Sequence, residues 1–116
     1  IEPILHMAIV IQDFYTIKTL LDNEADANIT DSEGNTALLK AIHVLAYIYT
    51  SESNFYKIVP SELIIQDYIE KIIILLLKNG ANIEHKNNSG EDVFILINKY
   101  SNLNRDMTEK IKSILK

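Results

Sequence analysis

DNEADANITDSEGNTALL, residues 22–39, returns in altered form as KNGANIEHKNNSGEDVFI, residues 78–95. Ala25, Asn28, Asp31 and Gly34 fall on Ala81, Glu84, Asn87 and Gly90, at a constant offset of 56 residues. A short pattern that returns at a fixed spacing marks a repeat architecture, and such units commonly run to about 20 to 50 residues. The longer offset here calls for an explanation, which lies in the residues between the two copies.

On either side of each copy the apolar spacing is helical. Phe14, Ile17, Leu20 and Leu21 follow the i, i+3, i+6, i+7 pattern of one helix face, and the small and acidic residues from Asn23 to Asn28 end it. Leu38, Ala41, Ile42, Leu45, Ile48 and Tyr49 continue a stripe for about four turns until TSESN, residues 50–54, supplies turn-forming residues. A further helix is expected from Ser61, an N-cap candidate after Pro60, through Ile65, Ile69, Ile72, Ile73, Leu76 and Leu77 to Asn79-Gly80. Branched aliphatics are middling helix formers, so burial rather than propensity must hold it. Because it is apolar over most of its circumference, it predicts neighbours on several sides.

Composition limits what such helices can serve. The chain has 116 residues, 47% of them hydrophobic, enough for one small domain. A net charge of −5 and a pI near 5.1 exclude the gathered basic surface that nucleic acid requires. The longest apolar run, Ile72 to Leu77, covers roughly 9 Å as a helix against about 30 Å of bilayer, so no membrane insertion is expected. No cysteine is present, which removes disulfides and thiolate zinc sites and fits a reducing compartment. The amino end has neither an initiator Met nor a basic segment ahead of its apolar stretch, and it reads as the cut edge of a longer protein.

In order and spacing these segments resemble ankyrin repeats. The family pattern opens with Asp-x-x-Gly-x-Thr, continues with Pro-Leu-His-x-Ala and closes with Leu-Leu-x-x-Gly-Ala-Asp-x-Asn. DSEGNTALLKA, residues 31–41, follows the opening with Ala37 for the proline and Leu39 for the histidine. LHMA, residues 5–8, and LLDNEADAN, residues 20–28, follow the middle and the close; LLKNGAN, residues 76–82, repeats the close, and NNSGED, residues 87–92, is a weaker third opening. The resemblance implies an all-α solenoid of stacked helix-turn-helix units joined by hairpin-like turns. Its repeats would be residues 1–30, truncated at their start, 31–86, and a capping unit at 87–116.

The resemblance also accounts for the offset. Leu5 precedes Leu20 by 15 residues while the equivalent Leu38 precedes Leu76 by 38, an excess of 23, and the family period of about 33 plus 23 gives 56. The excess reads as an insertion within about residues 43–67, between the two helices of the second repeat. It is helical at both ends, so both helices of that repeat are expected to run roughly two turns beyond their neighbours, joined by a loop around residues 53–61. Leu45, Ile48 and Tyr49 would face Ile64, Ile65 and Tyr68. One departure predicts strain: Glu24 stands where the closing glycine is usual, and a left-handed backbone there costs a non-glycine residue roughly 1 kcal/mol.

No constellation for catalysis, cofactor or metal emerges. His6 matches the family histidine that bonds backbone near the hairpin turn, while His43 and His85 lie on different elements without metal-ligand spacing. Glu91 and Asp92 fall on an expected exposed turn, where a carboxylate pair has no reason to shift its pKa values. The three glycines, at 34, 80 and 90, build no phosphate loop. The NIT and NNS triplets at Asn28 and Asn87 read as chance in an asparagine-rich chain rather than as glycosylation sites.

The expected function is recognition of a protein partner without catalysis. The resemblance places the partner against the hairpin tips, at Ser32, Glu33, Asn35, Asn88, Ser89 and Glu91, and against the inward helix face, at Val10, Ile11, His43 and Lys99. Tyr47 and Tyr56, in the insertion, are a second contact surface, since tyrosine is enriched where proteins recognise one another; packing within the insertion is the competing reading. Asp22, Glu24, Asp26, Asp31 and Glu33 stand together without a basic residue among them, which suits a basic partner or an ordinary solvated turn equally. A regulatory segment of a larger enzyme or channel, and a scaffold self-associating through residues 1–11, are the alternatives to a monomeric binding module. The abundance of Ile, Asn and Lys beside a single Arg is the bias of an AT-rich genome. The expected compartment is the cytoplasm, or a host's cytoplasm should the source be an intracellular bacterium or virus.

Overall fold

Polar residues set the helix ends. The Asp13 carboxylate accepts from the Thr16 amide at 3.1 Å and the Thr16 hydroxyl at 2.6 Å, and Asp92 accepts from the Ile95 amide at 2.9 Å. Each satisfies an amide that a helix start would otherwise leave orphaned. Thr36 serves the same end more loosely, its hydroxyl 3.4 Å from the Leu39 amide. The computed structural model describes residues 2–48, 62–100 and 105–115, with side chains placed at 2–46, 70–100 and 108–115. Among these residues the regular elements are α1 (Ile4–Val10), α2 (Phe14–Asp22), α3 (Ala37–Ile48), α4 (Glu62–Lys78), α5 (Val93–Lys99) and α6 (Arg105–Leu115).

The helices form two layers. α1, α3 and α5 stack in one, α2, α4 and α6 in the other, and each first helix packs on the helix that follows it. The all-helical repeat expected from the sequence is the architecture observed. Between the layers lies one continuous core containing Leu5, Ile9, Ile17, Leu38, Ile42, Ile72, Leu76 and Leu96. The central pair is the longest, at 12 and 17 residues against 7 and 9 before it. The loop around residues 53–61, the Ser61 cap and the side chains of Tyr47, Tyr49, Tyr56 and Tyr68 lie outside the described residues.

The offset of 56 is repeated in the backbone. Ala25 donates to the Leu20 carbonyl and Ala81 to that of Leu76; Gly34 donates to Asp31 and Gly90 to Asn87; Asp31 donates to Asn35 and Asn87 to Glu91. The Asn23 and Asn79 side chains each reach back four residues, to the carbonyls of Thr19 and Leu75. The turn that closes α2 and the turn that closes α4 are therefore one structure built twice.

Glu24 and Gly80 share that structure's left-handed position, with φ of 69° and 85°. The strain foreseen at Glu24 is present, and Gln12, φ 58°, carries a second instance between α1 and α2. Gly34 and Gly90 also share φ, 77° in both, but differ in surroundings. A Cβ on Gly34 would meet the Asn88 side-chain oxygen and stand 2.9 Å from the Asn88 amide nitrogen, while one on Gly90 would meet nothing within 4 Å.

Gly90→Ala should lower the unfolding free energy by about 1 kcal/mol, the conformational cost alone, and Gly34→Ala by about 2 kcal/mol or more. Urea unfolding measures both, and equal losses would refute the close approach at Gly34. In the opposite sense, Glu24→Gly should stabilise the chain by up to about 1 kcal/mol in the same assay.

Candidate functional site

The hairpin tips are held together by side chains that replace a sheet. Asp31 Oδ1 accepts from the amides of Glu33 and Asn35, both at 2.9 Å, and Asn87 Oδ1 accepts from those of Ser89 and Glu91, both at 3.0 Å. Asn and Asp side chains close turns onto their own backbone in this way. Between tips, the Asn87 amide group donates to Asn35 Oδ1 at 2.9 Å. Asn88 donates its backbone N–H to the Glu33 carbonyl at 3.0 Å and its side-chain amide to the Ser32 carbonyl at 3.1 Å.

Two histidines complete the joint. His6 Nε2 donates to the Asn35 carbonyl at 2.7 Å from a fully buried position, and His85 Nε2 donates to the Gly34 carbonyl at 2.9 Å. A carbonyl can only accept, so both Nε2 atoms carry a proton. His6 thus plays the part foreseen for it, and His85 does the same from the following hairpin. One turn further out, Asn28 donates to the Gly80 carbonyl at 2.9 Å and accepts from the Asn82 amide at 2.7 Å.

These bonds divide the expected contact residues. Asn35 is only 2% exposed, and its carbonyl, backbone N–H and side-chain oxygen are each hydrogen-bonded, so it holds the tips together rather than meeting a partner. Asn88 is exposed but already committed between tips. Ser32, Glu33 and Ser89 face solvent. Val10 and Ile11 are 46% and 72% exposed. The side chains of Tyr47 and Tyr56 lie outside the described residues.

His43, Glu91 and Lys99 come together at the end of the α3–α5 groove. Lys99 Nζ lies 3.3 Å from Glu91 Oε2 and 5.7 Å above the Tyr100 ring. The Tyr100 hydroxyl stands 3.1 Å from His43 Nδ1, with the two rings edge to face at a centroid separation of 5.8 Å. Tyr100 was not singled out in the sequence, although it stands 56 residues from Val44 on α3.

Charge is arranged to suit this packing. Burial holds the His43 imidazole below its ordinary pKa; Lys99 and Lys40 act in the same direction, against Glu91 and Glu33. Glu91 does shift, contrary to the expectation for an exposed turn: the Asn87 side-chain hydrogen bond, and after it Lys99, hold its carboxyl below the usual range. The physical reason is that Glu91 folds back into the tip joint instead of pointing outward. Asp13 is lowered likewise by its bonds from Thr16.

With this geometry, residues 5–44 match the family model described as ankyrin repeats (many copies). Among curated proteins no match to the chain was found. No helix among the described residues is long and apolar enough to cross a membrane.

The pKa shifts fix the sign of the pH response. His43 resists a proton that the unfolded chain accepts near pH 6.5, so stability falls as pH drops below about 6.5 toward the lowered folded value. The shifts of Asp13 and Glu91 contribute stability above the ordinary carboxylate range and lose it as pH falls below about 4. Thermal midpoints measured from about pH 8 to about pH 5 should decline for the native chain and decline less for His43→Gln. Equal slopes would show that His43 does not gain a proton on unfolding.

Proposed function

We propose that this chain, which carries ankyrin repeats and folds as their stacked helix pairs, binds a protein partner without catalysing a reaction. Repeats of this family generally serve protein–protein interaction. The contact surface we assign is the strip formed by the hairpin tips and the inward face of α1, α3 and α5. The observation that carries the assignment is the sequence of equivalent positions Val10, His43 and Lys99 on three stacked helices. One end of the strip is exposed and apolar, and the other is a charged and aromatic cluster.

Such a strip favours a partner whose apolar side chains lie against Val10 and Ile11 and whose polar groups reach Lys99, Tyr100 and the exposed tip residues Glu33 and Ser89. Aromatic and apolar anchors supply most interface energy, and rim charges set register and approach. Residues 44–66, with Tyr47 and Tyr56, form a second contact surface in this reading. It is motivated by their tyrosine content and by the length of α3 and α4.

A partner recovered by affinity capture with the immobilised chain should bind Val10→Glu/Lys99→Glu at least about tenfold more weakly, a loss of about 1.4 kcal/mol. Both residues are exposed, so circular dichroism should be unchanged. Undiminished binding would refute the assigned strip. A chain lacking residues 44–66 that folds and binds normally would remove the second surface from the proposal.

A further inference from the structure

Each end of the stack exposes one half of the interface that joins its own repeats. The stripe Ile4, Met7 and Ile11 along α1, at i, i+3 and i+7, recurs as Ala37, Lys40 and Val44 along α3 and, 56 residues further on, as Val93, Leu96 and Tyr100 along α5. Where another first helix precedes, the stripe is covered. Lys40 pairs with Glu2, ahead of α1, at 3.0 Å; Val93 and Leu96 are wholly buried; and Tyr100 meets His43 of α3. On α1 the same positions hold three large apolar side chains that are 66%, 53% and 72% exposed.

The other half of the interface lies at the opposite end. His6 of α1 reaches forward to the Asn35 carbonyl, and it is buried together with Leu5, as are their equivalents Leu38 and Leu39 on α3. The third occurrence, Phe94 and Ile95 on α5, is 37% and 44% exposed. Single exposed apolar residues are ordinary, whereas contiguous apolar patches mark interaction sites. Each end therefore lacks what the other presents. Charge decides how two copies would meet. Residues 1–30 carry five carboxylates and one lysine, net −4 with histidine neutral, whereas residues 87–116 carry four carboxylates and five cations, net +1. Pairing α1 with α1 would set like charge against like, while placing the α5 end of one copy on the α1 end of the next brings opposite charges together.

We propose that copies of this chain stack head to tail, with Phe94 and Ile95 of one lying against Ile4, Met7 and Ile11 of the next. The layer of α1, α3 and α5 then continues from copy to copy. Such a contact is heterologous: every dimer keeps a free apolar face at each end, so association does not stop at two copies. It is a different surface from the inward strip of Val10, His43 and Lys99, and only Ile11 belongs to both.

Sedimentation velocity of the full chain, from about 10 μM to about 1 mM, should show a mass that rises past the dimer. Ile4→Glu/Met7→Glu and Ile95→Glu should each self-associate at least about tenfold more weakly than the native chain. All three residues are exposed, so helical circular dichroism should be unchanged in both variants. Mixed together, the two should recover the native affinity and stop at a one-to-one dimer, because each keeps the face that the other has lost. A native chain that stays monomeric throughout this range overturns the proposal and gives the open face of α1 to a different partner. Undiminished association of Ile95→Glu with itself, or a native chain that halts at the dimer, overturns it in favour of α1–α1 pairing. A mixture that associates no better than its components overturns it as well.

Discussion

The fold depends on how the buried polar groups around Asn35 are satisfied. Hairpin tips that stack without pairing as strands leave carbonyls and amides facing one another, and a buried unpaired group costs about 1–3 kcal/mol. Here the Asn35 carbonyl accepts from His6, its amide is held by Asp31, and its side chain accepts from Asn87. Two elements distant in sequence, α1 and the following hairpin tip, are thereby locked to one residue. The asparagines at 28, 87 and 88 repeat the arrangement, each offering a side chain where a neighbouring strand would have offered backbone.

The helical layers answer to a different force. α4 is rich in isoleucine, a middling helix former, and it is held by the burial of Ile72, Ile73 and Leu76 between α2, α3 and α6. Fully burying each such side chain contributes roughly 1.5–3 kcal/mol. The ion pairs add little: Lys110–Glu70 and Lys18–Asp22 lie at the surface, where such pairs are worth at most about 1 kcal/mol. Apolar burial thus sets the strength of the stack, and the polar joints set its register.

The two sides of the stack differ for the same reason. On the tip side, many polar side chains are spent on the joint, while Ser32, Glu33, Ser89 and Lys99 meet solvent beside the half-buried His43 and Tyr100. On the α2–α4 side the closing turns are joined through Asn28, and apolar residues Phe14, Ile74 and Leu75 come near the surface between Lys71 and Lys78.

Much of this was legible in the residues. Helical spacing, the returning turn and the left-handed position at Glu24 depend on local geometry, which nearby residues dictate; the joint-forming part of His6, which bonds a carbonyl 29 residues away, was legible only through the resemblance to ankyrin repeats. The roles of Asn35, Glu91 and Tyr100 were not legible. An asparagine or glutamate on a turn looks the same in sequence whether it faces water or another turn, and Asn35 and Asn87 are 52 residues apart. A tyrosine at the end of a short helix gives no sign of the histidine it meets 57 residues away. The sequence by itself determined the helices, their order and the turns between them, because short-range hydrogen bonding and hydrophobic period decide those. Which polar residues are consumed in holding the stack, and which remain to meet a partner, only the tertiary structure decided, because that depends on what the next repeat places opposite each one.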